Sequence, residues 1–185
     1  ESADMDPSNQ ASSVEPVALS RNHLLRVLAL FPAAFVLFGF VVDSPAEIFR
    51  GLVAIHTSRD TLITDYIGLG VMGAAFVNAG LLTLLAITLY WRSGAVIGGA
   101  AVACLFLVFG FALFGKNLLN VWFIVAGVYA YARYKSEAFS KHINVAFFGA
   151  ALAPIFTEIL FSSALPLHTS LPLAAATTLG LGFVL

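Results

Sequence analysis

The chain has 185 residues, of which 60% are apolar and only 10% charged, with a net charge of −1 and a mean hydropathy of +0.95. A soluble domain carries roughly 25% charged residues, and so few charges cannot cover this much apolar surface in water. The composition therefore indicates an all-α polytopic membrane protein, and the near-neutral balance, with no basic patch to offset phosphates, excludes a nucleic-acid partner.

Residues 1–20 are polar, acidic and Ser-rich without periodicity, and read as a disordered tail. They are not a secretory signal, because the basic and apolar regions come only after them. The membrane domain is expected over 21–185. Its first helix is the apolar run 24–42, preceded by Arg21 and His23 and carrying Arg26 and Pro32. Residues 43–65 mix charges with Ile48, Phe49, Leu52, Val53 and Ile55, a spacing that fits an interfacial amphipathic helix from Pro45 to about His56. Four further apolar segments follow at 66–91, 95–115, 118–134 and 143–165, then a short one at 171–185. The predicted architecture is a transmembrane helix bundle of about five to six membrane segments. Short links make sequential neighbours antiparallel. No polar flank closes the last segment, so the chain is expected to be the N-terminal part of something longer.

Arg21, Arg26, Arg92, Arg133, Lys135 and Lys141 fall on one side of this topology, and Arg50, Arg59 and Lys116 on the other. The excess predicts a multi-pass protein of the cell membrane with its N-terminus cytoplasmic. Tyr90, Trp91, Tyr129, Tyr131 and Tyr134 would form an aromatic belt at the inner interface.

Polar groups at membrane depth are the functional candidates. Asn78 stands alone in the uncharged run 66–91, among Gly68, Gly70, Gly73 and Gly80. It reads either as a solute-facing amide at a broken or re-entrant helix, or as glue between helices, worth about 1 kcal/mol. In Gly115-Lys116-Asn117-Leu118-Leu119-Asn120, Lys116 reads as a snorkelling anchor or a solute contact. Asn117 and Asn120 share a helix face, with Asn117 placed to cap the next helix. In Pro154-Ile155-Phe156-Thr157-Glu158, the glutamate must face the bundle interior, be protonated or be paired. Lys116 is a candidate partner if it is paired, and Pro154 should leave the Ala150 carbonyl free for Thr157, a water or a solute.

Weaker signals are His56 and Asp60 as a chance metal pair, Asp65 as a helix cap, and Gly94-x-x-x-Gly98 with Ala101 as a close-packing face. Cys104 reads as a small core residue. No phosphate-cradling Gly loop, HExxH, CxxC or GxSxG occurs, so the chain is read as a non-enzyme without cofactor or metal.

The strings Ile55 to Gly70, Gly73-Ala74-Ala75-Phe76-Val77-Asn78-Ala79 and Phe114-Gly115-Lys116-Asn117-Leu118-Leu119-Asn120 together resemble an uncharacterised bacterial family of integral membrane proteins, domain-of-unknown-function family 1576. The resemblance implies a paired repeat, of which this chain holds about the first, and it supplies no activity. Residues 73–81 alone are similar to the Gly-rich, Asn-containing strings of urea-transporter-like channels. The functional expectation is a transporter or channel for a small polar solute, lined by Asn78, Lys116, Asn117, Asn120, Thr157 and Glu158. The alternative is a non-transporting membrane scaffold, and less readily a membrane-embedded enzyme. The partners expected are the lipid bilayer, the solute, a second repeat of the same chain, and a homo-oligomer.

Overall fold

The computed structural model describes residues 20–61, 63–162 and 164–185; the expected N-terminal tail lies outside them apart from Ser20. Among the described residues all regular structure is helical. The first helix, α1 (Arg21–Val42), is capped by the Ser20 hydroxyl, which accepts from His23 N. It packs antiparallel along α4 (Met72–Ser93). The pairing is tied at both ends by charge. Arg21 donates to the carbonyls of Tyr90 (2.6 Å), Trp91 (3.0 Å) and Ala95 (2.8 Å) at the end of α4. Asp43 accepts from Gly73 N (2.6 Å) at its start. A cation at the C-terminus and an anion at the N-terminus both complement the helix dipole. Between these ties the backbones nearly touch, since a methyl on Gly73 would lie 2.6 Å from the Gly39 carbonyl.

The α2 helix (Pro45–Thr57) starts at a capping box. Ser44 Oγ accepts from Glu47 N, and Glu47 accepts from Ser44 N (3.0 Å). It buries Ile48, Gly51 and Ile55 and leaves Phe49 and Val53 exposed, the amphipathic pattern expected from the sequence. The apolar run beginning at Tyr66 does break, but at Val71 rather than at Asn78. Val71 separates α3 (Tyr66–Gly70) from α4 with φ +72°, a region that a β-branched residue rarely enters. Asn78 therefore sits inside one continuous helix.

Next come α5 (Gly99–Phe111) and α6 (Trp122–Tyr134), of 13 residues each. At 1.5 Å per residue each is about 20 Å long, short of the roughly 30 Å hydrocarbon core. The chain between them, 112–121, is a non-helical break. A 3₁₀ turn at Phe139–Lys141 leads into α7 (Ile143–Gly149), which joins α8 (Pro154–Leu160) through a second 3₁₀ turn with a bend of 43°. The Ala150 carbonyl is not left free there, because it accepts from Ala153 N (3.0 Å). Finally α9 (Leu167–Val184) packs on α6, where a methyl on Gly127 would fall 2.2 Å from the Leu179 carbonyl and one on Gly182 2.2 Å from that of Ile124.

Three helices among the described residues, α1, α4 and α9, are long and apolar enough to cross a membrane, or up to four if α7 and α8 form one bent span. The segments expected at 95–115 and 118–134 contribute the shorter helices α5 and α6. Two further expectations are corrected. Gly94 is the left-handed cap of α4 (φ +73°) and Gly98 precedes α5; neither has a neighbour within 4 Å where a methyl would be, so they form no packing face. Tyr90 turns inward and is fully buried, its hydroxyl donating to Asn144 Oδ1, while Trp91, Tyr129 and Tyr134 stay exposed as belt residues would.

Candidate functional site

The break at 112–121 is closed by its own asparagines. Asn117 Oδ1 accepts from Leu119 N (2.9 Å) and Asn120 N (3.0 Å), while Asn120 Oδ1 accepts from Asn117 N (3.0 Å). Asn120 Nδ2 also donates to the Gly115 carbonyl (2.9 Å). Asn117 thus caps the turn ahead of α6. With its oxygen committed, its amide nitrogen must face elsewhere, and it faces a carboxylate.

That carboxylate is Asp60, three residues past the end of α2 and fully buried. Its Oδ2 accepts from Asn117 Nδ2 (2.9 Å) and Thr157 Oγ1 (3.0 Å), with Asn120 Nδ2 at 3.4 Å. Its Oδ1 faces the half-buried Ser58 Oγ at 3.2 Å. Tyr66 Oη accepts from Asn117 Nδ2 at 3.2 Å. Tyr66, Asn117, Asn120 and Thr157 are all fully buried. Among the described residues the ion pairs are Arg59–Glu158 and Glu137–His142, so Asp60 has no cation beside it there. Asp60 lies in a loop outside the long apolar helices. Burial pushes its carboxyl up to about 6, against the downward pull of Thr157, Tyr66, Ser58 and Asn117.

Above Asp60 a cleft of about 500 Å³ opens between α8 and the chain at Asp60, Thr61 and Ile63, lined also by Pro154, Ile155 and Glu158. Glu158 stands at its rim, half-exposed, with Oε1 2.5 Å from the Arg59 guanidinium. It is paired, as its charge requires, but with Arg59 and not Lys116. Lys116 does not snorkel: it is buried, donates from Nζ to the Phe147 carbonyl (3.1 Å) and lies over the Phe111 ring. Asn78 supports the same break from α4, donating from Nδ2 to the carbonyls of Ala112 (2.7 Å) and Lys116 (2.9 Å).

Asn117, Asn120 and Thr157 therefore meet on one group, Glu158 borders the cleft over it, and Asn78 and Lys116 brace the break from its other side. The centre itself, Asp60, is legible in the sequence only as a metal partner of His56. The two do not share a helical face, since α2 ends before Asp60 and His56 Nδ1 lies 2.6 Å from the Leu52 carbonyl. No group of three or more candidate metal ligands occurs among the described residues. Tyr66 stands out in the sequence only as the start of an apolar run. A signal for Asp60 does exist. Three buried donors need an acceptor, and nearby Asp65 is used up capping α3 through Ile67 N (3.1 Å) and Gly68 N (3.0 Å).

Several apolar helices, interrupted helices and a polar cluster buried between them define a helical integral membrane protein. The chain belongs to the family described as "Protein of unknown function (DUF1576)", whose model matches residues 44–185. No curated protein and no solved structure matches it.

Proposed function

We propose that the protein is a transporter or channel for a small polar solute. The observation that carries this reading is the buried Asp60 carboxylate, ringed by Asn117, Asn120 and Thr157, with no cation beside it among the described residues, and lying directly beneath a cleft of about 500 Å³. Such a volume fits a small molecule. Ionisable groups and interrupted helices at membrane depth recur along substrate pathways. On this reading α5 and α6 enter and leave the bilayer from one side as a re-entrant hairpin, with the 112–121 break at its tip. They complete the expected five to six segments without each spanning. The Lys and Arg excess puts the N-terminus in the cytoplasm, and a second repeat or second copy supplies the facing wall.

The test is solute entry into proteoliposomes holding the full chain, followed by light scattering. Uptake of some small polar solute above that of empty liposomes is expected, and Asn117→Ala should slow it. Equal rates with and without protein across a panel of polyols, amides and amino acids would sink the proposal.

A scaffold role is the second reading, favoured by one observation: both amide hydrogens of Asn78 are consumed by backbone carbonyls of the same bundle. Cysteine accessibility separates the two. In a Cys104→Ala background, a water-soluble thiol reagent should reach Thr157→Cys if a wet path exists, and should fail to if the cluster only holds helices together.

A further inference from the structure

The hydrogen-bond pattern at Asp60 is uneven in a way that bears on protonation. Oδ2 faces donors whose direction is fixed. Asn117 and Asn120 both have their side-chain oxygens engaged by backbone N–H groups, so only their Nδ2 atoms can point at the carboxylate. Thr157 Oγ1 lies 3.0 Å from Oδ2 and 3.0 Å from the Pro154 carbonyl, so its single proton can go to either; the two amides are the fixed donors. Oδ2 is therefore an acceptor in any protonation state. Oδ1 has a different neighbour. Ser58 Oγ lies 3.2 Å from Oδ1 and 3.1 Å from the Ile55 carbonyl. A hydroxyl has one proton and two lone pairs, so it can take either role. With Asp60 ionised, Ser58 donates to Oδ1. With Asp60 neutral, Oδ1–H donates to Ser58, whose own proton turns to the Ile55 carbonyl. Neither state leaves a buried polar group of this pair unmatched, and Ser58 is half-buried, within reach of water.

We propose that Asp60 is a reversible proton site, loading and releasing a proton on Oδ1 through Ser58. Coupling of that proton to solute movement rests on the transporter reading above; the proton site itself does not. The proton is exchanged with water at the half-buried Ser58, and no other bond forms or breaks. Three of the charged or titratable groups around the site have partners of their own, and a fourth, Tyr66, acts on Asp60 itself. Glu158 of α8 is paired with Arg59 through Oε1, with Oε2 buried and without a partner among the described residues; Lys116 of the break is turned to the Phe147 carbonyl, and His56 of α2 to that of Leu52. Tyr66 of α3 accepts from Asn117 and favours the ionised form of Asp60. Burial acts in the same direction, since it lifts the Asp60 carboxyl to about 6, where both states are populated near neutrality.

A hydrophobic carbodiimide reacts with protonated, membrane-embedded carboxyl groups, and the adduct can be located by peptide mass spectrometry on the full chain in nanodiscs. Labelling of Asp60 should rise as pH falls, half-maximal at about pH 6. Thr157→Val, which removes a donor to the ionised form, should move the midpoint up by roughly half to one pH unit, the shift one hydrogen bond carries. Labelling that stays flat between about pH 5 and pH 8, or a midpoint that ignores Thr157→Val, overturns the proton site. In proteoliposomes that transport, an inward proton gradient should accelerate uptake, and Asp60→Asn should abolish the acceleration. If labelling titrates but the gradient has no effect, coupling is refuted and the site stands; if nothing is transported, the transporter reading fails while the labelling still decides the site.

Discussion

Asn78→Ala gives the clearest reading of what the membrane-depth amide does. In the native protein its two N–H bonds reach the carbonyls of Ala112 and Lys116, at 2.7 and 2.9 Å, and hold the end of α5 and the 112–121 break against α4. Interhelical hydrogen bonds in membranes average about 0.6 kcal/mol and reach about 1.7, so losing two costs about 1–3 kcal/mol. Against this, Asn78 Oδ1 is buried without a partner among the described residues. Removing it recovers part of the cost of an unmatched acceptor, about 1 kcal/mol at the low end. The net expectation is a loss of up to about 2 kcal/mol. Asn78→Asp keeps the shape but sets acceptor against acceptor, and should destabilise more than Ala does. Equilibrium unfolding of the full chain in mixed micelles, read by Trp91 and Trp122 fluorescence, measures both. If Asp is as stable as Asn, or if Ala is more stable than Asn, the bracing role assigned to the amide nitrogen is wrong. A slowed solute flux at unchanged stability would then put Asn78 back on the path.

Other predictions use the same unfolding assay. Gly127→Ala forces a methyl to within 2.2 Å of the Leu179 backbone and should cost about 1–3 kcal/mol, while Gly180→Ala, with open space around it, should be neutral or slightly stabilising. Val71→Gly relieves a positive φ and should stabilise by about 1 kcal/mol; a loss would mean that the α3–α4 joint is not strained. Lys116→Met removes a buried cation of similar length and should leave stability unchanged or raised, so a loss above about 3 kcal/mol would make Lys116 a structural necessity. Glu137, held below the ordinary carboxylate range by the His142 ring, should titrate at higher pH in His142→Ala, followed by its carboxyl chemical shift. A lowered folded value means that the pair's contribution is present above the unfolded carboxylate range and lost as pH falls through the folded one.

The extents of α1 and α2 are legible in the sequence because periodicity and capping residues act locally, whereas the start of α4 at Met72 is not. Ser44-Pro45-Ala46-Glu47 announces a helix start regardless of tertiary context. The short α5 and α6 are not legible. Hydropathy registers an apolar run but not where its backbone stops being helical, and here Asn117 and Asn120 end the helices by bonding to each other's backbone. The small-residue faces mislead for a related reason. Gly94-x-x-x-Gly98 has the right spacing, yet close approach depends on which helices cross, and those that do use Gly39 with Gly73 and Gly127 with Gly182. The site candidates other than Asp60 stand out by their cost at membrane depth. Asp60 does not, because a carboxylate in a mixed polar loop looks inexpensive until the fold buries it.

The bonds around the break divide into two sets, and the division bears on function. One set closes the chain: Asn117 with Asn120, Asn120 with Gly115, Asn78 with Ala112 and Lys116. These satisfy backbone groups that interrupted helices leave open, and a stable fold needs them. The other set runs from Asn117, Thr157 and Ser58 to Asp60. No backbone group depends on it. A neutral amide at position 60 could meet the same donors through its oxygen without bringing a carboxylate out of water. Retaining a buried ionisable group there costs stability that the break does not require, and perturbed, buried carboxylates beside a cleft cluster at functional sites. Asp60→Asn tests the division directly. It should fold at least as stably as the native chain, whereas Asn117→Ala, which belongs to both sets, should be destabilised. If Asp60→Asn is the less stable of the two, the carboxylate is part of the scaffold and the functional argument for it fails.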